Sequence, residues 1–150
     1  MSTLKVNQLL DTSGNNLDRI GQIKFGSTTS QISTTSSSYV QISSALNQTL
    51  TPTAASSKFL LLFSSTGQVN SNRARYDVLY SGTGSTLSGA NAMTSFEGNN
   101  INHVVAWSFL HSPNTTSNVT YTPVHQNGNG SSTFTGTANI TSFTVIEILQ

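Results

Sequence analysis

Cysteine is absent from this chain of 150 residues, which excludes both a disulfide framework and a thiolate metal site. Long apolar segments are absent too, because the longest one, residues 59–63, is far shorter than the ~20 residues of a membrane-spanning helix. Met1 is not followed by the basic segment and apolar stretch of a secretion signal. We therefore expect a soluble protein that neither inserts into a membrane nor carries an export signal.

Charge is scarce as well, since charged residues make up only 7% of the chain, with six Lys and Arg against five Asp and Glu. A surface that binds nucleic acid needs clustered basic side chains to neutralise phosphates, so this class of partner is excluded. Serine, threonine, asparagine and glutamine account for 70 of the 150 residues. Neutral hydroxyl and amide groups, rather than ions, therefore keep the protein in solution.

Helical periodicity is also missing, because no window of the sequence forms a convincing amphipathic helix. The chain contains β-branched and aromatic residues throughout, with Gly, Asn and Ser between them as turn formers. These patterns predict strands near residues 30–34, 39–43, 47–51, 58–65, 74–80, 93–97, 103–111, 118–125, 133–138 and 142–149. So many short strands bury their faces most simply by packing sheet on sheet, so we expect an all-β protein built as an antiparallel β-sandwich.

The first 25 residues differ from the rest because they hold five of the eleven charged residues. This contrast predicts a boundary near Phe25 and Gly26, with an N-terminal arm at 1–25 and a β-sandwich head domain at 26–150. Within the arm we expect an extended start and a turn at residues 11–16, and the spacing of Leu17, Ile20 and Ile23 favours a short helix or coil. The alternative is a frayed terminus.

Three of the predicted strands are apolar on both faces. In residues 58–63 the odd positions are apolar, and so are Leu60 and Leu62 on the other face; residues 103–110 and 143–149 share this property. A sandwich covers only one face of each sheet, so we expect a second copy of the chain to cover the other. The alternative is that the arm or a long loop covers it. The residues expected at the interface between copies are Phe59, Leu61, Phe63, Trp107, Phe109, Phe143 and Val145.

Residues that could carry chemistry are few and dispersed. His103 and His111 lie on one predicted strand, but eight residues at about 3.3 Å each hold them roughly 26 Å apart, so one chain cannot bind an ion with both. The remaining alternative is a metal site on a threefold axis that takes one histidine from each copy. The five carboxylates show no local pairing, a G-x-S-x-G motif is missing, and the segment Gly82-Thr83-Gly84 lacks the lysine of a phosphate-binding loop. We expect no enzymatic activity, no cofactor and no metal.

Arg73, Arg75 and Asp77 alternate along one predicted strand, so their side chains should point the same way. A solvated sheet face with local charge pairing is the first interpretation, and a contact patch for an acidic or sugar-rich surface is the alternative. The residues that we expect at such a recognition surface are Asn70, Asn72, Arg73, Arg75, His111, Asn127 and Asn129.

Three stretches together resemble a known family: LTPTAASSKFLLLF at residues 50–63, WSFLHSPNTTSNVTY at 107–121 and FTVIEIL at 143–149. They are similar to the globular domain of tail-fibre and other virion proteins of marine and cyanobacterial phages. The opening STLKVNQLLDTSGNN at residues 2–16 resembles the first residues of many cyanophage structural proteins. Two features depart from the family: His111 stands before Ser-Pro where Asp is frequent, and the long shaft of a fibre is missing.

The resemblance implies a jelly-roll-like head, a homotrimer and a place on the virion after assembly in the host cytoplasm. It implies a viral tail fibre or short appendage that attaches to the host surface, with host polysaccharide as a candidate ligand. The arm would anchor the head to other virion proteins of the tail, baseplate or capsid. A capsid cement (decoration) protein is the alternative function, and a carbohydrate-active enzyme is a third class. The residues expected to anchor the arm are Leu4, Val6, Leu9, Leu10, Leu17 and Ile20.

Overall fold

The computed structural model describes residues 19–70, 73–89, 91–98, 100–128, 133–136 and 140–150, which form two antiparallel β-sheets packed as a sandwich. The first sheet, here called the β5 sheet, contains β1 (Ile20–Thr28), β2 (Ile32–Thr34), β5 (Lys58–Val69), β9 (Ile101–His111), β11 (Thr133–Thr135) and β12 (Thr141–Ile148). The second, here called the β10 sheet, contains β3 (Val40–Gln41), β4 (Gln48–Leu50), β6 (Arg73–Tyr80), β7 (Ser85–Thr86), β8 (Thr94–Glu97) and β10 (Val119–Asn127). A 3₁₀ helix at Ser44–Leu46 precedes β4, and the Ser43 hydroxyl caps it by accepting from the Ala45 amide.

Strand β5 occupies the centre of its sheet. One of its edges pairs with β9 over residues 59–69. Its other edge pairs with β12 over residues 58–64 and with β11 over residues 67–69, while β1 and β2 lie beyond those two strands. Residues 58–69 contain no proline, so every backbone amide of the strand can take part in pairing.

The core lies between the sheets, where alternate residues of β5 meet aromatic residues of the β10 sheet. Phe59 packs against Tyr121 with ring centroids 5.8 Å apart, and Phe63 packs against Tyr76 at 6.3 Å. Phe63 also stacks on Trp107 at 5.2 Å. Aromatic pairs of this kind contribute ~0.5–1.5 kcal/mol each beyond the burial of their surface. These contacts fix how the two sheets face each other.

The predicted all-β fold and antiparallel sandwich are confirmed, and each of the ten predicted strand segments overlaps an observed strand. Two strands, β1 and β7, were not expected. The short helix or coil predicted around Ile20 and Ile23 is wrong, because these residues belong to β1. The spacing of three arises from a bulge, since Ile20 pairs with Ile148 and Ile23 pairs with Ile146. One extra residue in β1 therefore keeps both isoleucines on the same face, which imitates helical spacing.

The predicted boundary near Phe25 falls inside β1, which pairs continuously with β12 from Ile23 to Thr28. Residues 20–25 are therefore part of the sandwich. Ile20, which we expected to anchor the arm to a particle, lies in β1. The other expected anchoring residues, Leu4, Val6, Leu9, Leu10 and Leu17, lie outside the described residues.

The residues predicted at the interface between copies lie on the inner side of the β5 sheet, and for five of the seven the assignment is wrong. Five of them are buried in the core of the single chain, where a second copy cannot reach them: Phe59, Leu61, Phe63, Phe143 and Val145. Trp107 and Phe109 are partly buried and pack against the same core. The sequence shows that two sets of apolar side chains lie on opposite faces, but either set could face the β10 sheet. The set that contains Phe59, Leu61 and Phe63 is the one that faces the β10 sheet.

Gly26 should be required for β1 to pass the 3₁₀ helix. A Cβ atom at this position would overlap the backbone carbonyl oxygen of Ala45 and the amide group of Gln48. We expect Gly26→Ala to lower the free energy of unfolding by ~1–3 kcal/mol, because backbone must move to accept the added methyl group. Urea denaturation followed by circular dichroism measures this change, with Ser27→Ala, at an exposed neighbour on the other face, as the control. Equal stability of the two variants would show that β1 is not packed as described.

Candidate interaction surfaces

The outer side of the β5 sheet carries a continuous apolar surface. The register places Ile23 beside Ile146, Ile146 beside Leu60 and Leu60 beside Leu110, which makes one apolar row across four strands. Further apolar side chains on the same side of the sheet lie above and below this row. We call the whole set the open face, and it comprises Ile20, Ile23, Phe25, Leu60, Leu62, Val104, Leu110, Ile146 and Ile148.

This face is uncovered by the described part of the chain. Six of the eight large apolar side chains that are exposed among the described residues lie on it, with 37–82% of their surface accessible. Those six are Ile20, Ile23, Phe25, Leu62, Val104 and Leu110. At about 200 Å² for a fully exposed large side chain, they present roughly 700 Å² of apolar surface, more than the ~300–600 Å² of the largest patch on a typical monomeric protein. Such a patch is typical of a surface that binds a partner.

The open face is also almost free of charge. Among the outward-facing positions of β1, β5, β9 and β12, the one charged side chain is Lys58, at the start of β5. The positions next to the apolar row carry small groups, including Ser64, Ala106 and Ser108. A partner therefore meets apolar and hydroxyl groups, with no ionic pattern to match.

Glu147 is buried on the inner side of β12, where it fastens two other segments. Its carboxylate accepts hydrogen bonds from the Thr53 amide at 2.5 Å, the Thr53 hydroxyl at 2.9 Å and the Gln22 side chain at 3.0 Å. Burial raises the pKa of Glu147, but these hydrogen bonds and one from Ser57 outweigh burial and leave its pKa below the ordinary value. Glu147 thus holds β1 and the loop of residues 51–57 against β12, and we assign it a structural role.

Glu147→Gln should weaken the fold at neutral pH and reduce its sensitivity to acid. A carboxyl whose pKa is lowered by folding stabilises the protein above its unfolded pKa of ~4.3, and this stabilisation is lost as the pH falls through the folded pKa. We expect a loss of ~1–3 kcal/mol in the free energy of unfolding at neutral pH, and a smaller further loss below about pH 4 than in the wild type. Urea denaturation across that pH range tests both statements. Glu97→Gln, which removes an exposed carboxylate, is the control.

A second buried polar cluster lies at the other end of the sandwich, around His125. Its Nδ1 atom is 2.9 Å from the Thr135 hydroxyl, which in turn donates to the Tyr76 hydroxyl at 3.3 Å. The His125 Nε2 atom is buried and has no hydrogen-bond partner. Burial therefore favours the neutral ring and lowers the pKa of His125 to about 4. Gly67 lies opposite this cluster, where a Cβ atom would come within 2.6 Å of the Tyr76 hydroxyl.

His125 should make the protein lose stability as the pH falls from 6.5 to about 4. In that range the unfolded chain binds a proton that the folded chain excludes, so stability decreases with falling pH. The accumulated loss is ~3 kcal/mol, since each pKa unit corresponds to ~1.4 kcal/mol. We expect His125→Asn to flatten the dependence of the unfolding free energy on pH in this window. An unchanged slope would mean that another group takes up the proton.

Arg73, Arg75 and Asp77 lie on the same outer face of β6, as predicted. Arg73 pairs with Glu97, whose Oε1 atom accepts from Nε at 2.7 Å, and both side chains are exposed. Arg75 lies beside Asn91 and Ser95 in a shallow polar recess of about 160 Å³ that Arg73 and Ala92 also line. Asp77 is buried and accepts hydrogen bonds from the Val78 amide at 2.7 Å and from the Ser88 hydroxyl; its burial raises its pKa despite those bonds. Asp77 therefore supports the turn after β7 rather than a ligand.

Two residues expected at a recognition surface lie elsewhere. Asn127 is fully buried and donates to the Thr133 hydroxyl at 2.9 Å, so that expectation is wrong. His111 is half-buried, with Nδ1 2.9 Å from the Tyr121 hydroxyl and its ring edge-on to Tyr80, and burial lowers its pKa. Asn70 is exposed. Asn72 and Asn129 lie outside the described residues.

Within the described ranges, no group of three or more His, Cys, Asp or Glu side chains could hold a metal ion. The same part of the chain has no helix long and apolar enough to cross a membrane. No protein-family model matches the sequence, and a search of curated proteins gives no match.

Sequence reasoning missed the contribution of β1 to the open face. Ile20, Ile23 and Phe25 supply three of its six exposed side chains. The alternation of Ile23, Phe25 and Ser27 with their neighbours could have predicted a strand here. The bulge between Ile20 and Ile23 interrupts this alternation at the start of the strand.

Proposed function

We propose that this protein is a structural component of a bacteriophage particle, a homotrimer of jelly-roll-like sandwiches that attaches the particle to the host surface as a tail fibre or short appendage. The observation that carries the proposal is the open face, an apolar surface across four strands that the described part of the chain leaves exposed and on whose side Lys58 is the one charged group. A surface of this kind is typical of a protein that binds a partner. The resemblance of three stretches of sequence to virion proteins supplies the type of assembly.

The use of the ionisable residues supports a binding protein over an enzyme. Asp77, Glu147 and His125 are buried and hold neighbouring segments of the fold. Glu97 is exposed and paired with Arg73. General acid-base catalysis needs a donor and an acceptor that face the same substrate with tuned pKa values, and these groups face different parts of the molecule.

A polar ligand such as host polysaccharide fits the remaining surface. The recess beside Arg73 and Arg75 offers guanidinium, amide and hydroxyl groups, which hydrogen-bond to sugar hydroxyls or pair with an anionic substituent. It lies on the β10 sheet, on the opposite side of the sandwich from the open face. A copy bound through the open face would leave this recess accessible.

A capsid cement protein is the second candidate, and the breadth of the open face favours it. A surface across four strands can lie on a broad capsid shell as well as on another copy. In that case the protein would bind between neighbouring capsomers and stabilise the head. Its partners would be capsid proteins, and host attachment would belong to another component.

Copy number and position on purified particles separate these functions. We expect antibody-gold labelling to mark the tail, and quantitative mass spectrometry to find a small multiple of three copies per particle. Hundreds of copies on the head would establish the cement function instead. Absence from purified particles would contradict both. If the protein shortens host polysaccharide and Glu97→Ala or His111→Ala abolishes that activity in a folded protein, the non-enzymatic proposal is wrong.

A further inference from the structure

We infer that the open face binds the open faces of other copies of this chain, so that the apolar row of Ile23, Ile146, Leu60 and Leu110 forms the centre of a self-interface. The number of copies, three, rests on the proposed function. The choice of face and of partner rests on the observations that follow.

The area of the open face matches what a stable association requires. Its six exposed side chains present roughly 700 Å² of apolar surface. A standard interface buries ~800 Å² on each partner, including a polar rim. Leu60, Ile146 and Ile148 are half-buried between the exposed side chains, and hydroxyl groups of β5, β9 and β12 surround them. The apolar centre together with this rim reaches the required size.

The chemistry of the face fits an identical surface better than any charged partner. An acidic or basic partner would lose hydration at its charged groups and would find only Lys58 in return. A membrane surface with anionic lipids would need several basic residues, and Lys58 is again the single one. A second open face is equally apolar and carries one lysine, at the start of β5, so a single charged side chain on each copy loses water when two such faces meet.

The geometry of the face suits sheet-on-sheet packing. The apolar row spans three strand spacings, about 14 Å, and Phe25 and Leu62 extend it on one side while Ile20 and Ile148 extend it on the other. Branched side chains on neighbouring faces can interdigitate, as they do inside a sandwich. In a trimer the three open faces are inclined toward a threefold axis, so each one packs against the next copy near the axis and does not lie flat on a single partner.

Charge-pair variants test whether like faces meet. Two double variants are made. The lysine double variant carries Ile23→Lys and Leu110→Lys, and the glutamate double variant carries Ile23→Glu and Leu110→Glu. Ile101→Lys is the control. Ile101 lies on the same strand as Leu110 and is 57% exposed against 52%, but it points to the other side of the sheet. Sedimentation velocity at micromolar concentration gives the oligomeric state, and circular dichroism confirms folding.

We expect the wild type and Ile101→Lys to form a trimer, and the lysine and glutamate double variants to be monomers when alone. Mixing the two double variants should restore part of the association, since two of the three interfaces in a mixed trimer then join opposite charges. A third double variant carries Ile23→Thr and Leu110→Thr; threonine is uncharged and favourable in a strand. It should raise the dissociation constant of the trimer at least tenfold. This pair keeps the test decisive if the charged variants fail to fold.

Three results would overturn the inference: a wild type that is monomeric at micromolar concentration, double variants that still form trimers, or a mixture that stays monomeric. If the monomeric wild type excludes an apolar dye that binds after deletion of residues 1–18, the N-terminal segment of the same chain covers the face.

Failure of the self-interface is distinct from failure of the proposed function. Association through the open face can hold for a protein that is absent from particles, and a protein found on particles can bind them through another surface.

Discussion

The structure depends on strand β5, which is apolar on both sides and hydrogen-bonded on both edges. Its odd-numbered residues from Phe59 to Phe63 form the core, and Leu60 and Leu62 form part of the open face. Because side chains alternate with a period of two, a slip of one residue would exchange the two sets. Long pairing with β9 and β12 holds the register, so the division between inner and outer side chains is fixed along the strand.

Scarcity of charge shapes the rest of the molecule. Asp77, Glu147 and His125 are buried, and each is hydrogen-bonded to a polar group at least ten residues away along the chain. Loop 51–57 and β1, for example, meet at the carboxylate of Glu147. A surface made mainly of hydroxyl, amide and apolar groups follows, and it allows neutral faces to approach one another without repulsion.

The two surfaces that could bind partners lie on opposite sheets. The open face belongs to the β5 sheet, and the recess near Arg75 belongs to the β10 sheet. The alternation of Arg73, Arg75 and Asp77 predicted that these side chains share one face, because that pattern is local to one strand, and the recess lies on that face. The sequence also led us to expect Asn127 at the recognition surface, but the pairing of β10 with β6 turns this side chain inward, toward Thr133.

By itself, the sequence determined that the protein is an antiparallel β-sandwich. It also located ten of the twelve strands in the described part of the chain and showed which strands are apolar on both faces. Those properties follow from turn residues and alternation, which are local. Only the tertiary structure decided which face of β5 is the core, because alternation assigns residues to a common face without saying which face another sheet covers. Packing against Tyr76 and Tyr121, far along the chain, made that choice. The bulge in β1 was likewise visible only through its pairing with β12, whose partner residues set the register that a single strand cannot reveal.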